Sequence, residues 1–116
     1  MDLAKKLQLR PGQGVDVTGV DATSIPALVG VTGADGPDAA LLVFVPDRAA
    51  LGDYLATVVA AAAADRLTWV AYPKAGQLGT DLNRDVLAAL LTDEGVRPVR
   101  QVAIDDVWSA LRFRPG

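Results

Sequence analysis

Lys74 closes the run Trp69-Val70-Ala71-Tyr72-Pro73-Lys74, and Thr80-Asp81-Leu82-Asn83-Arg84-Asp85 begins six residues later. A phenol, an ammonium, a hydroxyl, two carboxylates and a guanidinium are therefore near neighbours in sequence, where an apolar run stops and a helical pattern starts. A cation beside a helix N-terminus makes an anion site, because the first backbone N–H groups of the helix point the same way. On that ground Tyr72, Lys74, Thr80, Asp81 and Arg84 are the candidate ligand-binding residues, with no catalytic residue and no metal ligand assigned. The plainer alternative gives each an ordinary structural role, with Lys74 solvated in a loop, Thr80 or Asp81 an N-cap, and Gly76 and Gly79 loosening the connection.

Asp81 and Asp85 lie four apart, so on one helix they share a face and can hold a hard cation or exchange protons. The competing reading has them complementing the helix dipole, with Arg84 bridging to a neighbour. Asp105 and Asp106 read as a turn, although a carboxylate next to Trp108 can also line a pocket. Trp69 and Trp108 are the only tryptophans and fall in strand-like runs, where a core position with a satisfied indole N–H is expected. Arg97, Arg100, Arg112 and Arg114 gather near the C-terminus. They suit an acidic partner or nucleic acid, but the favoured reading is protection of a sheet edge against pairing with other chains.

Composition removes several chemistries. The sequence has no cysteine and no histidine, so disulfides, thiolate or imidazole metal sites and serine–histidine or cysteine–histidine catalysis are all excluded. Thirteen aspartates and one glutamate face eight arginines and three lysines, a net charge of −3 that gives no field for a polyanion. Behind Lys5 and Lys6 no apolar run is long enough for a signal peptide, and Ala60–Ala64 is far too short to cross a bilayer. A cytoplasmic, soluble protein is expected. At 116 residues, 51% of them apolar and few aromatic, the chain is expected to form one domain over residues 1–116 around an aliphatic core.

The elements that must position these residues follow from pattern. Asp2 caps a short helix carrying Leu3 and Leu7, stopped at Arg10-Pro11-Gly12. Gly14 to Val20 alternates apolar and polar as a strand does, with its odd-numbered valines facing a core. Ser24 before Ile25-Pro26-Ala27-Leu28 predicts one or two helical turns capped by serine, and Val29 to Thr32 a weak strand; residues 33–38 read as a loop. Ala39 to Val45 is a continuous apolar run, as expected of a strand covered on both faces. Asp47 then caps a helix whose Leu51, Leu55, Val58, Val59 and Ala62 make one apolar stripe, weakened slightly at Gly52. Leu67 to Tyr72 is the next strand. A helix follows from about Asp81 to Glu94, burying Leu82, Val86, Leu87, Leu90 and Leu91, and Gly95 ends it. Val96 to Ile104 and Trp108 to Arg114 pair as an antiparallel hairpin across Asp105-Asp106-Val107. Alternating strands and helices predict an α/β three-layer sandwich with a Rossmann-like, mostly parallel sheet and one antiparallel strand near its C-terminal edge.

The order from Leu41–Val45 through Trp69–Lys74 to a helix and terminal hairpin resembles the second half of a class I methyltransferase fold, which ends in such a hairpin. More closely, Trp69–Lys74, Thr80–Asp85 and Asp105–Phe113 (WVAYPK, TDLNRD and DDVWSALRF) are similar to a family of small bacterial proteins known only as a domain of unknown function. That resemblance covers nearly the whole chain and implies a fold without an activity. Methyltransferases follow their first strand with a glycine-rich turn, whereas Thr18-Gly19-Val20-Asp21-Ala22-Thr23 holds one glycine. About twenty residues also stand where a helix, strand, helix and strand of the cofactor-binding half belong. A truncated methyltransferase-like domain with no resident cofactor is therefore expected: a non-catalytic module binding a small anionic ligand or a protein, a second copy of itself included. Membranes are not expected partners and nucleic acid is disfavoured. The alternative is a divergent transferase working at the carboxyl end of the Trp69–Lys74 strand, and whether the chain is an enzyme stays open at this point.

Overall fold

Trp69, fully buried, lies on the strand at the centre of a five-stranded mixed sheet. The computed structural model describes residues 2–31, 33 and 38–116. Strands β1 (Val15–Thr18), β2 (Ala40–Phe44) and β3 (Thr68–Pro73) pair in parallel. Strand β5 (Trp108–Pro115) runs antiparallel to both β3 and the edge strand β4 (Val96–Ala103), so the spatial order is β1-β2-β3-β5-β4. Every residue of β2 and β3 is buried, which accounts for their unbroken apolar character.

Cover on the two faces is unequal. Helices α2 (Arg48–Ala63) and α3 (Arg84–Thr92) both pack on one face, where Leu51, Val58, Ala62, Leu87 and Leu91 meet Leu41, Val43, Val70, Leu111 and Phe113. On the other face Leu42, Phe44, Trp69, Ala71 and Trp108 are covered by Leu7, Ile25, Leu28 and Ile104, from the one-turn helix α1 (Leu3–Lys6) and connecting segments. The expected second helical layer is therefore thin. Phe44 and Trp108 meet there edge to face, with centroids 5.0 Å apart. The Trp69 indole N–H donates to the Leu7 carbonyl at 3.0 Å, tying α1 to the middle of the sheet.

Several caps follow the sequence. Asp2 accepts the Lys5 N–H and Asp47 accepts the Ala50 N–H; α3 ends at Thr92 with Asp93 as its C-cap, two residues before the expected Glu94, and Gly95, at φ +95°, turns the chain after it. In the hairpin Asp105 Oδ1 accepts the amides of both Val107 and Trp108 at 2.8 Å, so its carboxylate builds the turn.

Other expectations need correction. The Asp21–Gly30 stretch forms two 3-10 turns, Ala22–Ser24 and Pro26–Leu28; Asp21 caps the first through Thr23 N–H, and Ser24 caps neither. No strand forms over Val29–Val31, where Val29 is 87% exposed; among the described residues Gly33 makes an isolated bridge to Val15. The rest of that expected strand, Thr32, and the loop residues 34–37 lie outside the described residues. Helix α3 starts at Arg84, three residues later than its pattern suggests, and Asn83 is its N-cap, accepting the Val86 N–H at 2.8 Å.

Gly19 ends β1 at φ +89°, and a Cβ there would stand 2.1 Å from the Phe44 carbonyl oxygen. The lone glycine of the turn thus serves packing, letting two adjacent strand ends approach.

Candidate functional site

The carboxyl end of β3 opens onto the face of the sheet that carries α3. Lys74 is held at the strand end by its own N–H, which donates to the Val107 carbonyl in the hairpin turn at 2.7 Å. Beside it lies an open groove of about 490 Å³ lined by Tyr72, Lys74, Ala75, Asn83, Arg84, Asp85, Gln101 and Ser109. Four elements build it. Strand β3 presents Tyr72; β5 presents Ser109, its antiparallel partner; and the first turn of α3 supplies Arg84 and Asp85. Gln101 reaches in from β4 and donates to the Tyr72 hydroxyl at 2.9 Å.

The groove divides the candidate residues. It brings Tyr72, Lys74 and Arg84 together and leaves out Thr80 and Asp81. Thr80 Oγ1 accepts the Leu82 N–H at 3.0 Å, within its own loop. Asp81 turns to a different helix: its Oδ1 accepts the Arg48 N–H, the first amide of α2, at 2.8 Å. Because α3 begins only at Arg84, Asp81 and Asp85 share no helix face, and the paired-carboxylate site does not form. Arg84 lies 3.4 Å from the Asp85 carboxylate, but both side chains are more than half exposed, so this pair is weak and its guanidinium can turn to another anion.

Burial pushes the Tyr72 phenol above its ordinary value; Asp85 adds to the effect and the Arg84 guanidinium opposes it. Tyr72 therefore stays protonated at neutral pH and, while accepting from Gln101, keeps its own O–H to donate.

Sequence reasoning missed Gln101 and Ser109 as groove residues. A single serine inside the apolar run Trp108–Leu111 was the available signal for one; Gln101 gave none, since only the β4–β5 register places it opposite Leu111.

The arginines of the hairpin separate as well. On β4, Arg97 and Arg100 flank Pro98 and an irregularity in the pairing, a combination that discourages a further strand at this edge. On β5, Arg112 and Arg114 turn to side chains elsewhere in the chain, Gln8 and Asp65, while Arg97 donates to the Pro115 carbonyl across the hairpin at 3.0 Å.

Comparison with known proteins returns no match: no family model, no curated protein and no solved structure. No helix among the described residues is long and apolar enough to cross a membrane.

Proposed function

We propose that this chain is a non-catalytic binding module on a reduced methyltransferase-like fold, taking a small anion in the groove between Tyr72 and Arg84. The observation that carries the reading is the convergence of Lys74 and Arg84, cations from two different elements, on a groove that also holds Tyr72, Gln101, Ser109 and Asn83. Hydroxyl and amide donors beside two positive charges are what a small oxyanion needs. The antiparallel β5 beside β3, within a terminal hairpin, supports the fold assignment. It brings no reaction with it.

Binding fits better than a transferase at the same corner. Tyr72 is held as an acid at neutral pH, Ser109 has no base among the groove residues, and the one carboxylate there, Asp85, has a side chain 92% exposed. A general base needs a position beside the proton it takes and shelter from water. Calorimetric titration with inorganic phosphate tests the reading, with backbone NMR shifts at Tyr72 and Arg84 locating the heat. Saturable shifts at Tyr72 and at the Arg84 backbone amide are expected, and in a Lys74→Ala, Arg84→Ala double variant the Tyr72 shift should disappear. Heat from S-adenosylmethionine, or no response at these residues to phosphate, discards it.

A further inference from the structure

We propose a second anion site at the opposite end of the sheet, where Arg10, Arg66 and Arg112 line a cleft suited to a small phosphate-type oxyanion. This cleft, of about 690 Å³, lies before the start of β3, between the C-terminal end of α2 and the loop after α1; Gln8, Gln13, Asp38 and Asp65 complete its polar lining. Tyr72 and Lys74 lie at the other end of β3, so the two sites share no residue.

Two guanidinium nitrogens carry the inference. Arg112 Nε and Arg66 Nη2 are both buried and find no hydrogen-bond acceptor among the described residues. A buried donor left unpaired costs about 1–3 kcal/mol, so each calls for an acceptor; Arg112 belongs to the cleft, while Arg66 Nη2 is shared with Asp16, which does not line it. Each arginine is held by its other nitrogens. Arg66 Nε donates to the Ala39 carbonyl at 2.7 Å, and its Nη2 lies 3.8 Å from the Asp16 carboxylate, too far for a hydrogen bond. Arg112 Nη1 donates to Gln8 Oε1 at 2.6 Å.

The residues that hold this cluster occupy costly backbone. Gln8 follows α1 at φ +63° and Asp65 follows α2 at φ +60°, left-handed positions where glycine is the cheap choice. Their side chains serve β5: Gln8 holds Arg112, and Asp65 takes a forked pair of bonds from Arg114 at 3.1 and 3.2 Å. Glycine at either position would relieve the backbone and release an arginine.

Charge agrees with this assignment. The hydrogen bond from Arg114 holds Asp65 below the usual carboxylate range, so Asp65 is paired first with Arg114 and offsets the Arg112 charge only in part. Burial first, then the neighbouring Arg114 charge, pulls the Arg112 guanidinium below its ordinary value, as expected of a cation short of an anion. Planar guanidiniums offer paired N–H donors to an oxyanion, and Arg10, exposed on its loop, is free to close over one.

The test is phosphate titration of the whole chain followed by heteronuclear NMR of the arginine Nε–H signals, with chloride at matched ionic strength as the control. Saturable shifts at Arg112 and Arg66 are expected with phosphate and not with chloride. Arg112→Lys keeps the charge but removes the Nε–H, and should weaken this binding about tenfold, the worth of one charge-assisted bond. Arg10→Gln, at an exposed position that cannot endanger folding, should weaken it several-fold, while Lys74→Ala should leave it unchanged. Absence of a saturable shift in the parent overturns the proposal, as does an affinity unaltered by Arg10→Gln.

Discussion

Asp81, on the loop leading to α3, accepts the backbone N–H of Arg48, the first residue of α2, at 2.8 Å. Asp47 accepts the Ala50 N–H of the same helix, so two carboxylates from distant parts of the chain satisfy two of the orphan donors at one helix end. The loop carrying Lys74 is thereby anchored at its far end to a different helix, and its near end is fixed by the Lys74–Val107 bond.

Asp81→Ala should accordingly destabilise the fold by about 1 kcal/mol, the usual cost of a lost cap, and leave the affinity of the Lys74 groove nearly unchanged. Urea denaturation beside phosphate titration separates the two effects. A large affinity loss with unaltered stability would return Asp81 to the binding site.

Trp69→Phe removes the indole donor from the Leu7 carbonyl and leaves a void at a fully buried position. The combined cost should be about 2–4 kcal/mol. Because the bond ties down α1, amide exchange over Leu3–Leu7 should accelerate more than exchange in α3. Uniform acceleration would mean that α1 does not depend on that bond.

Gly19→Ala should be among the most damaging single methyl additions in the chain. The new Cβ meets a backbone carbonyl, which cannot move aside as a flexible side chain would, and φ +89° is strained for alanine besides. A loss of about 3 kcal/mol or more is expected, read from the denaturation midpoint, whereas Gly52→Ala in α2, where nothing stands within 4 Å of the added Cβ, should stabilise the fold by up to about 1 kcal/mol.

Tyr72 should make stability depend on alkaline pH. Its folded pKa is raised above the ordinary value of about 10, so the fold favours the protonated phenol. The associated stability is fully present below about pH 10 and is lost as pH rises through the higher folded value. Comparing denaturation midpoints of the parent and Tyr72→Phe across that range tests this, since Tyr54 and the lysines are common to both. Parallel pH profiles would show that Tyr72 titrates as an ordinary exposed phenol.

The sequence by itself determined the elements whose signals are local. An unbroken apolar run must be covered on both faces, hence β2; an acidic cap and a stripe at helical spacing define α2; Asp105 before a short turn sets the hairpin. Lys74 and Arg84 were legible as neighbours because a strand end and a helix start lie close along the chain. Tertiary structure alone decided the rest. Whether Asp81 capped its own helix or another was settled by a partner 33 residues away, and Ser109 and Gln101 entered the groove only through strand register. The arginine cleft depends on residues from both ends of the chain, Gln8 and Arg112 lying 104 apart, so no local pattern announces it. Propensity and capping act over a few residues, whereas the direction a polar side chain finally takes depends on which distant donor or acceptor the packed core brings within about 3 Å.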